Sequence, residues 1–338
     1  MTSIYVTEPG ALLSKAGNKL IISKSKEAPI KDFPIEKVDS IVMINSANIS
    51  SQLAVELLER DITLTWISNK GKFYGRLEPT RAVNIERQIT QFYLADDKEF
   101  SFEISKKWIY AKIRNSRVML SRWARERKID LNSEIEELKN IADVIKNNQV
   151  RDSESLMGYE GRASKIYFDG LKQIVPEEFS FTHRNKQPPK DPFNSLLSFA
   201  YTLLMYEIYT AVSLKYLHPY RGFFHKPRRG HPALVSDLME EWRALLCDSL
   251  AVSLLSHKVI KIDDFLDPDE ETGGVYLRQE ASKNFIEHFE QRIRKLNSYL
   301  DFVDYPMSFR ESITLQVGSF VKAIESADPE IYRPILIR

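Results

Sequence analysis

The residues best suited to chemistry fall close together. They are the loop from Tyr220 to His231, reading Tyr-Arg-Gly-Phe-Phe-His-Lys-Pro-Arg-Arg-Gly-His, and the following helix, Ser236 to Arg243, reading Ser-Asp-Leu-Met-Glu-Glu-Trp-Arg. Gly222 and Pro227 bound a turn that can aim His225 at the start of that helix, where Asp237 and Glu240, three positions apart, share a face. One imidazole with two carboxylates is a mixed nitrogen and oxygen donor set. It suits Mg2+ or Mn2+ better than zinc, which usually takes more nitrogen or sulfur. Arg221, Lys226, Arg228 and Arg229 lie around it and offer phosphate contacts, bidentate ones from arginine. Acidic ligands among cations describe a phosphodiester site: a metal activates an oxygen nucleophile while the cations hold the backbone. The competing reading is a buried polar cluster that only organises helices.

Glu160 is a further candidate. In a helix from about 153 to 174, Leu156, Glu160, Ala163, Tyr167 and Leu171 recur on one stripe, so Glu160 is expected on the apolar face. A carboxylate there needs an ionic partner or a metal. Gly158 and Gly161 flank it at a cost of about 1 kcal/mol each in a helix interior, and in return permit close approach by another element or a ligand. An ion pair with Arg162 or a neighbour is the simpler explanation.

The elements that must hold these residues divide the chain. Up to about residue 80 the pattern is short and β-rich, with strands expected at Ile4–Val6, Leu20–Ile22, Ile41–Ile44 and Ile62–Ile67, and a crossover helix over Ser51–Glu59. Asn69-Lys70-Gly71-Lys72 reads as a hairpin turn before Phe73–Leu77. Pro79 and then Asp96-Asp97 interrupt the periodicity, so the boundary is placed at 95. Beyond it nearly everything reads as helix. Ser133 to Glu136 forms a capping box, Asp152 or Ser153 caps the next helix, and Asp191-Pro192 opens an apolar one. The expected fold class is α+β: a small β-rich domain, 1–95, followed by a larger all-α domain, 96–338.

Composition narrows the partners. The 338 residues carry 48 Lys and Arg against 47 Asp and Glu, but the balance is local: 96–128 holds 10 basic and 5 acidic residues, 129–160 holds 3 and 8, and 161–231 holds 11 and 5. Two basic blocks separated by an acidic one suit a chain with a polyanion-facing surface. The sharpest block, Lys106 to Lys128, reads as a helix with a cationic face, like charges that repel unless an anion neutralises them. One cysteine, Cys247, excludes an internal disulfide and a cysteine-rich zinc site. Met1 to Glu8 lacks the basic and apolar regions of a signal peptide, and a cytoplasmic location is expected. The long apolar run Leu196–Leu214 holds Ser198, Glu207 and Ser213 and is expected to be a buried helix rather than a membrane span.

Several ordered motifs carry a family resemblance. Met-Gly-Tyr-Glu-Gly-Arg-Ala at 157–163, Pro-Pro-Lys-Asp-Pro-Phe-Asn at 188–194, Gly-Phe-Phe-His at 222–225 and Asp-Leu-Met-Glu-Glu-Trp-Arg at 237–243 resemble the CRISPR-associated protein one family, the integrase of CRISPR adaptation. Tyr5 to Ala11, Asp39 to Val42, Gly75-Arg76-Leu77 and Gly273-Gly274-Val275 fit the same family, so the likeness covers essentially the whole chain. Phe224, Trp242 and His231 depart from the usual residues, and none of them removes a ligand.

The resemblance implies a homodimer, two of which flank a dimer of the small CRISPR-associated protein two. It also implies metal ligands Glu160, His225 and Glu240, with Asp237 as a supporting acid and Asn194 orienting groups around the site. The implied reaction is metal-assisted attack of a captured DNA fragment's 3′-hydroxyl on a phosphodiester at the CRISPR repeat. Lys226, Arg228, Arg229 and Arg243, with Arg114, Arg117 and Arg122 of the basic helix, are expected to track the DNA backbone. A metal-dependent phosphodiesterase that uses water and a non-catalytic nucleic-acid-binding scaffold are the rival readings.

Overall fold

Alternating apolar residues build the first part of the chain. In the computed structural model, which describes residues 3–24, 29–44, 46–68, 72–79, 83–186, 188–298, 303 and 305–337, this part carries β1 (Ser3–Val6), β2 (Ala11–Ala16), β3 (Lys19–Lys24), β4 (Pro29–Pro34), β5 (Ser40–Ile44), β6 (Asn48–Ile49), α1 (Ser51–Glu59), β7 (Thr63–Ile67) and β8 (Phe73–Leu77). One sheet has the order β1-β5-β7-β8 and the other β4-β3-β2-β6. The β1, β5 and β7 strands are parallel, as the expected α1 crossover requires, and β8 returns antiparallel on β7. The turn at Asn69, Lys70 and Gly71 lies outside the described residues. Leu53 and Leu57 of α1 are buried with Leu13, Leu20, Ile41 and Leu64 from both sheets, which gives the unit its own core. The β4 strand, mostly exposed and with proline at each end, is an edge strand whose composition conceals it.

Two compact units result: Met1–Val83 with Ser282–Ile286, and Asn84–Ala281 with Glu287–Arg338. This division falls ahead of the expected break at 95. The helix α2 (Ile85–Asp96) belongs to the second unit because buried Gln91 donates to the carbonyls of His218 (2.9 Å) and Arg221 (2.7 Å) and accepts from the His218 amide (2.8 Å). The Asp96-Asp97 interruption is a helix junction, where Asp97 accepts from the amides of Glu99 and Phe100 to cap α3 (Lys98–Arg127).

The second unit also holds α4 (Asn132–Lys146), α5 (Ser153–Ile174), α6 (Pro192–Leu214), α7 (Ala233–Met239), α8 (Ser249–Ser256), α10 (Phe309–Ser326) and both ends of α9 (Gln279–Arg294), whose Ser282–Ile286 stretch belongs to the first unit. It is mostly helical rather than all-α, since Leu296–Asn297 pairs with Met307–Ser308. Asp152 caps α5 and Asp191-Pro192 opens α6 as expected, whereas α4 starts at Asn132 without a side-chain cap, and the capping box belongs to Ser308 and Glu311. The apolar α6 is a core helix, with Phe193, Leu196, Leu197, Leu203 and Leu204 fully buried. Its Glu207 is held bidentately by Arg310 at 2.6 and 2.8 Å, and Arg310 also meets Glu290 at 2.5 Å. Trp108, Phe223, Phe320 and Tyr332 form an aromatic cluster that anchors the loop of His225 through Phe223.

Removing Arg310 strips Glu207 of its bidentate partner and leaves Glu290 with Arg294. Arg310→Ala is therefore expected to cost about 3–5 kcal/mol of stability, read from urea denaturation.

Candidate functional site

Asp237 organises the loop that presents the imidazole. It is fully buried, and its Oδ2 accepts from the amides of Phe223 (2.7 Å) and Phe224 (3.2 Å) while Oδ1 accepts from the His225 amide (2.9 Å) and pairs with His225 Nδ1 (2.6 Å). This is a positioning role, not the ligand role that helical spacing alone suggested beside Glu240. Gly222 is obligatory for it, because a Cβ there would lie 2.7 Å from Asp237 Oδ2 and 2.9 Å from the Ala233 backbone. With Nδ1 bonded to Asp237, Nε2 is left facing Glu240 Oε1 at 3.9 Å. Burial disfavours the imidazolium, but the bond to Asp237 and the charges of Asp237 and Glu240 outweigh it and raise the His225 pKa.

Glu240 stands where α7 ends and the helix widens into a π segment, Arg243–Asp248. Only 5% exposed, it meets Lys112 Nζ at 2.7 Å and Arg243 Nη2 at 3.3 Å. Burial would raise its pKa, yet Arg243, Lys112 and His225 pull it down to about 2, so the carboxylate is charged. Its Oε2 receives no hydrogen bond although Lys112 is near. Glu160, on α5, is less buried than the apolar stripe implied, and its partner is not Arg162, which pairs with Glu137. Lys112 Nζ bonds Glu160 Oε1, and Ser164 Oγ donates to the same oxygen at 2.8 Å. Gly158 and Gly161 are exposed, with nothing within 4 Å of an added Cβ, so no neighbouring element makes the close approach expected at them.

Two of the three expected ligands, Glu160 and Glu240, thus meet one lysine, and the third, His225, faces Glu240 from the other side. Among the described residues no group of three or more His, Cys, Asp or Glu side chains is arranged so that it could hold a metal ion. The donor types are nonetheless those a hard divalent cation takes: an imidazole nitrogen oriented by a carboxylate, a charged buried glutamate, and a second glutamate joined to the first through the Lys112 ammonium.

Against this geometry stand the sequence relatives. The family model for CRISPR associated protein Cas1 matches residues 4–291. This chain belongs to the Cas1 family. The CRISPR-associated endonuclease Cas1 3 of Thermus thermophilus is 32% identical, over 99% of this chain and 97% of that one. Among solved structures, a Cas6-RT-Cas1–Cas2 complex superposes with a TM-score of 0.84 at 23% identity, over 98% of this chain and 36% of that one. A casposase bound to an integration product gives 0.81 at 22% identity, over 97% and 92%. These structural likenesses establish the Cas1 fold.

The remaining candidates in this Cas1 chain divide by environment. Lys226, Arg228 and Arg229 are exposed on a turn beside His225. Arg243 is paired with Glu240 and lies over the Tyr201 ring at 4.8 Å. The expected cationic face of α3 is largely engaged within the fold. Lys106 binds Glu103 and Asn148, Lys107 binds Glu330, Arg114 binds the Ile337 carbonyl and Arg127 that of Ile174. Arg117 and Arg122 are half-buried, while Arg125 and Lys128 are exposed. Asn194 does not reach the carboxylates. It is fully buried and ties down the 183–191 segment, accepting from Arg184 (2.7 Å) and the Asn185 amide (3.0 Å) and donating to the His183 carbonyl (2.8 Å) and Asp191 (2.6 Å).

That segment borders a cavity of about 210 Å³ lined by Lys112, Tyr167, Arg184, Lys186, Tyr201 and Arg243. Sequence reasoning missed Arg184, Lys186 and Tyr201, whose signal was only the general basic excess of 161–231. At the cavity's inner end Asp248 accepts from Tyr167 (2.8 Å) and Tyr201 (2.7 Å), and burial pushes its pKa from 3.8 to about 6 despite those bonds.

Two measurements check these assignments. Gly222→Ala is expected to cost about 2 kcal/mol by overpacking, and to lower the His225 pKa, followed by NMR titration, as its bond to Asp237 breaks. A raised Asp248 pKa means that the folded chain holds this proton more tightly than the unfolded one. Its contribution, about 3 kcal/mol, is present below an unfolded pKa of 3.8 and lost as pH rises through about 6. Denaturation of Asp248→Asn across that window should lack this loss.

Proposed function

We propose that this chain is a divalent-metal-dependent DNA integrase and endonuclease of CRISPR adaptation, joining 3′-hydroxyl ends of captured DNA fragments to the CRISPR repeat. The observation that carries the reading is the convergence of His225 Nε2, Glu240 and Glu160 beside an exposed cationic turn. The Thermus relative named an endonuclease and the structural relative bound to an integration product support the same chemistry. The reaction is a transesterification: the attacking 3′-oxygen gives up its proton and bonds to phosphorus, the phosphorus bond to the repeat's own 3′-oxygen breaks, and that oxygen takes a proton. Mg2+ or Mn2+ held by Glu160, His225 and Glu240 would acidify the attacking hydroxyl and offset charge developing on phosphorus.

The chain's own residues do the rest. Asp237 fixes the tautomer and aim of His225, Arg243 holds Glu240, and Lys226, Arg228 and Arg229 bind backbone phosphates without reading bases. Water in place of the hydroxyl makes the same site a nuclease. A homodimer working with the small CRISPR-associated protein two is the proposed assembly, supported by the structural relative solved in a Cas1–Cas2 complex. A cytoplasmic site of action belongs to the same proposal.

The test is a branched DNA mimicking a half-integrated fragment, incubated with Mn2+ or EDTA beside Glu160→Ala. Metal-dependent release of the branch with resealing of the duplex, lost in a folded Glu160→Ala, is the expected outcome. Cleavage without resealing would replace the integrase with a hydrolytic phosphodiesterase, and metal-independent binding alone would leave a scaffold. Replacing Lys226, Arg228 and Arg229 with alanine is expected to weaken DNA binding irrespective of sequence. It should also flatten the salt dependence by about one unit of log-log slope for each phosphate no longer neutralised.

A further inference from the structure

Lys112 occupies a position that the metal reading leaves unexplained. Its ammonium bonds Glu160 Oε1 and lies 2.7 Å from Glu240 Oε2, the two carboxylates assigned above to the cation. A divalent ion bound by the same oxygens would sit about 2.1 Å from each. Each carboxylate has a second oxygen, and Glu240 Oε1 is the one that faces His225, but an ammonium and a divalent ion on the same two carboxylates repel each other and compete for them. Lys112 also lines the cavity with Arg184, Lys186 and Arg243, four cations against the single carboxyl of Asp248, which leaves room for an anion. Its flexible four-carbon stem and compact charge let the ammonium reach a phosphate entering that cavity without displacement of α3.

We propose that Lys112 couples the binding of DNA to the binding of metal. It competes with the divalent cation for Glu160 and Glu240, and a backbone phosphate of DNA in the adjacent cavity draws it away and frees them. This inference rests on the metal-dependent reading above. Linkage requires the coupling to be reciprocal: DNA tightens metal binding by the same factor by which metal tightens DNA binding. The device withholds the metal from a chain without its DNA, which limits stray hydrolysis.

Mn2+ binding, followed by electron paramagnetic resonance of the free ion with and without a short DNA duplex, tests it on the intact chain. Wild type is expected to bind Mn2+ about tenfold more tightly when DNA is present. Lys112→Met should bind Mn2+ about tenfold more tightly than wild type without DNA, and should lose most of the dependence on DNA. Lys112→Gln, which keeps a hydrogen bond to Glu160, should behave in the same direction, and Lys112→Arg should remain like wild type. Thermal melting gives an independent readout, since the neutral variants should start lower and gain more from Mn2+. Equal or weaker Mn2+ binding by both folded neutral variants overturns the coupling while leaving the metal site intact. Absence of Mn2+ binding in wild type and variants alike, with Glu240→Ala no different, overturns the metal reading and the coupling together.

Discussion

Glu240 keeps its charge at 5% exposure, and much of the helical unit is arranged around that fact. A buried carboxylate is tolerable only beside cations. Lys112 comes from α3, Arg243 from the π segment next in sequence and His225 from the preceding loop. Each of these is fixed in turn: Lys112 by Glu160 on α5, Arg243 by the Tyr201 ring on α6, and His225 by Asp237. One ionised group therefore ties together α3, α5, α6 and the loop between α6 and α7.

The π segment matters because it follows three consecutive residues with three separate tasks. Glu240 faces Lys112 and Arg243, while Trp242 Nε1 donates to Gln316 on α10 at 2.7 Å. Glu241 between them is fully buried and receives the Tyr332 hydroxyl, the Gln316 amide and the Ile335 backbone N–H. Burial pushes the Glu241 carboxyl up to about 8 against the lowering effect of those three bonds, whereas its neighbour Glu240 is ionised. The contrast follows from partners, since the charges beside Glu240 have no counterpart beside Glu241.

Local chemistry made part of this legible in advance. The parallel strand order needed the α1 crossover, Asp152 and Asp191 announced their helices, and His225 with Glu240 stood out because a loop and a helix start are close in sequence. Lys112 was grouped with a basic block because helical spacing shows which residues share a face but not which distant helix that face meets. Asp237 was placed with Glu240 by the same spacing. Its actual bonds run to amides of the loop, and only the close approach at Gly222 allows them. Gln91 and Asn194 look like ordinary polar residues until the fold surrounds them with backbone groups that need partners.

The segment from Tyr332 to Ile337 carries a kinetic consequence. Asn115, in the middle of α3, is fully buried, donates to the carbonyls of Glu241 and Ile335, and accepts from the Ile337 amide, a bond that closes a span of 222 residues. Glu241 reaches the same segment. During synthesis, the side of α3 next to Lys112 must therefore wait with unsatisfied polar groups until residue 337 leaves the ribosome. Bringing such distant residues together is entropically slow. The nascent chain thus completes this face of α3 late, and a chain stopped short of Tyr332 lacks the ring that packs on Trp108 and Phe320, leaving apolar surface open to association.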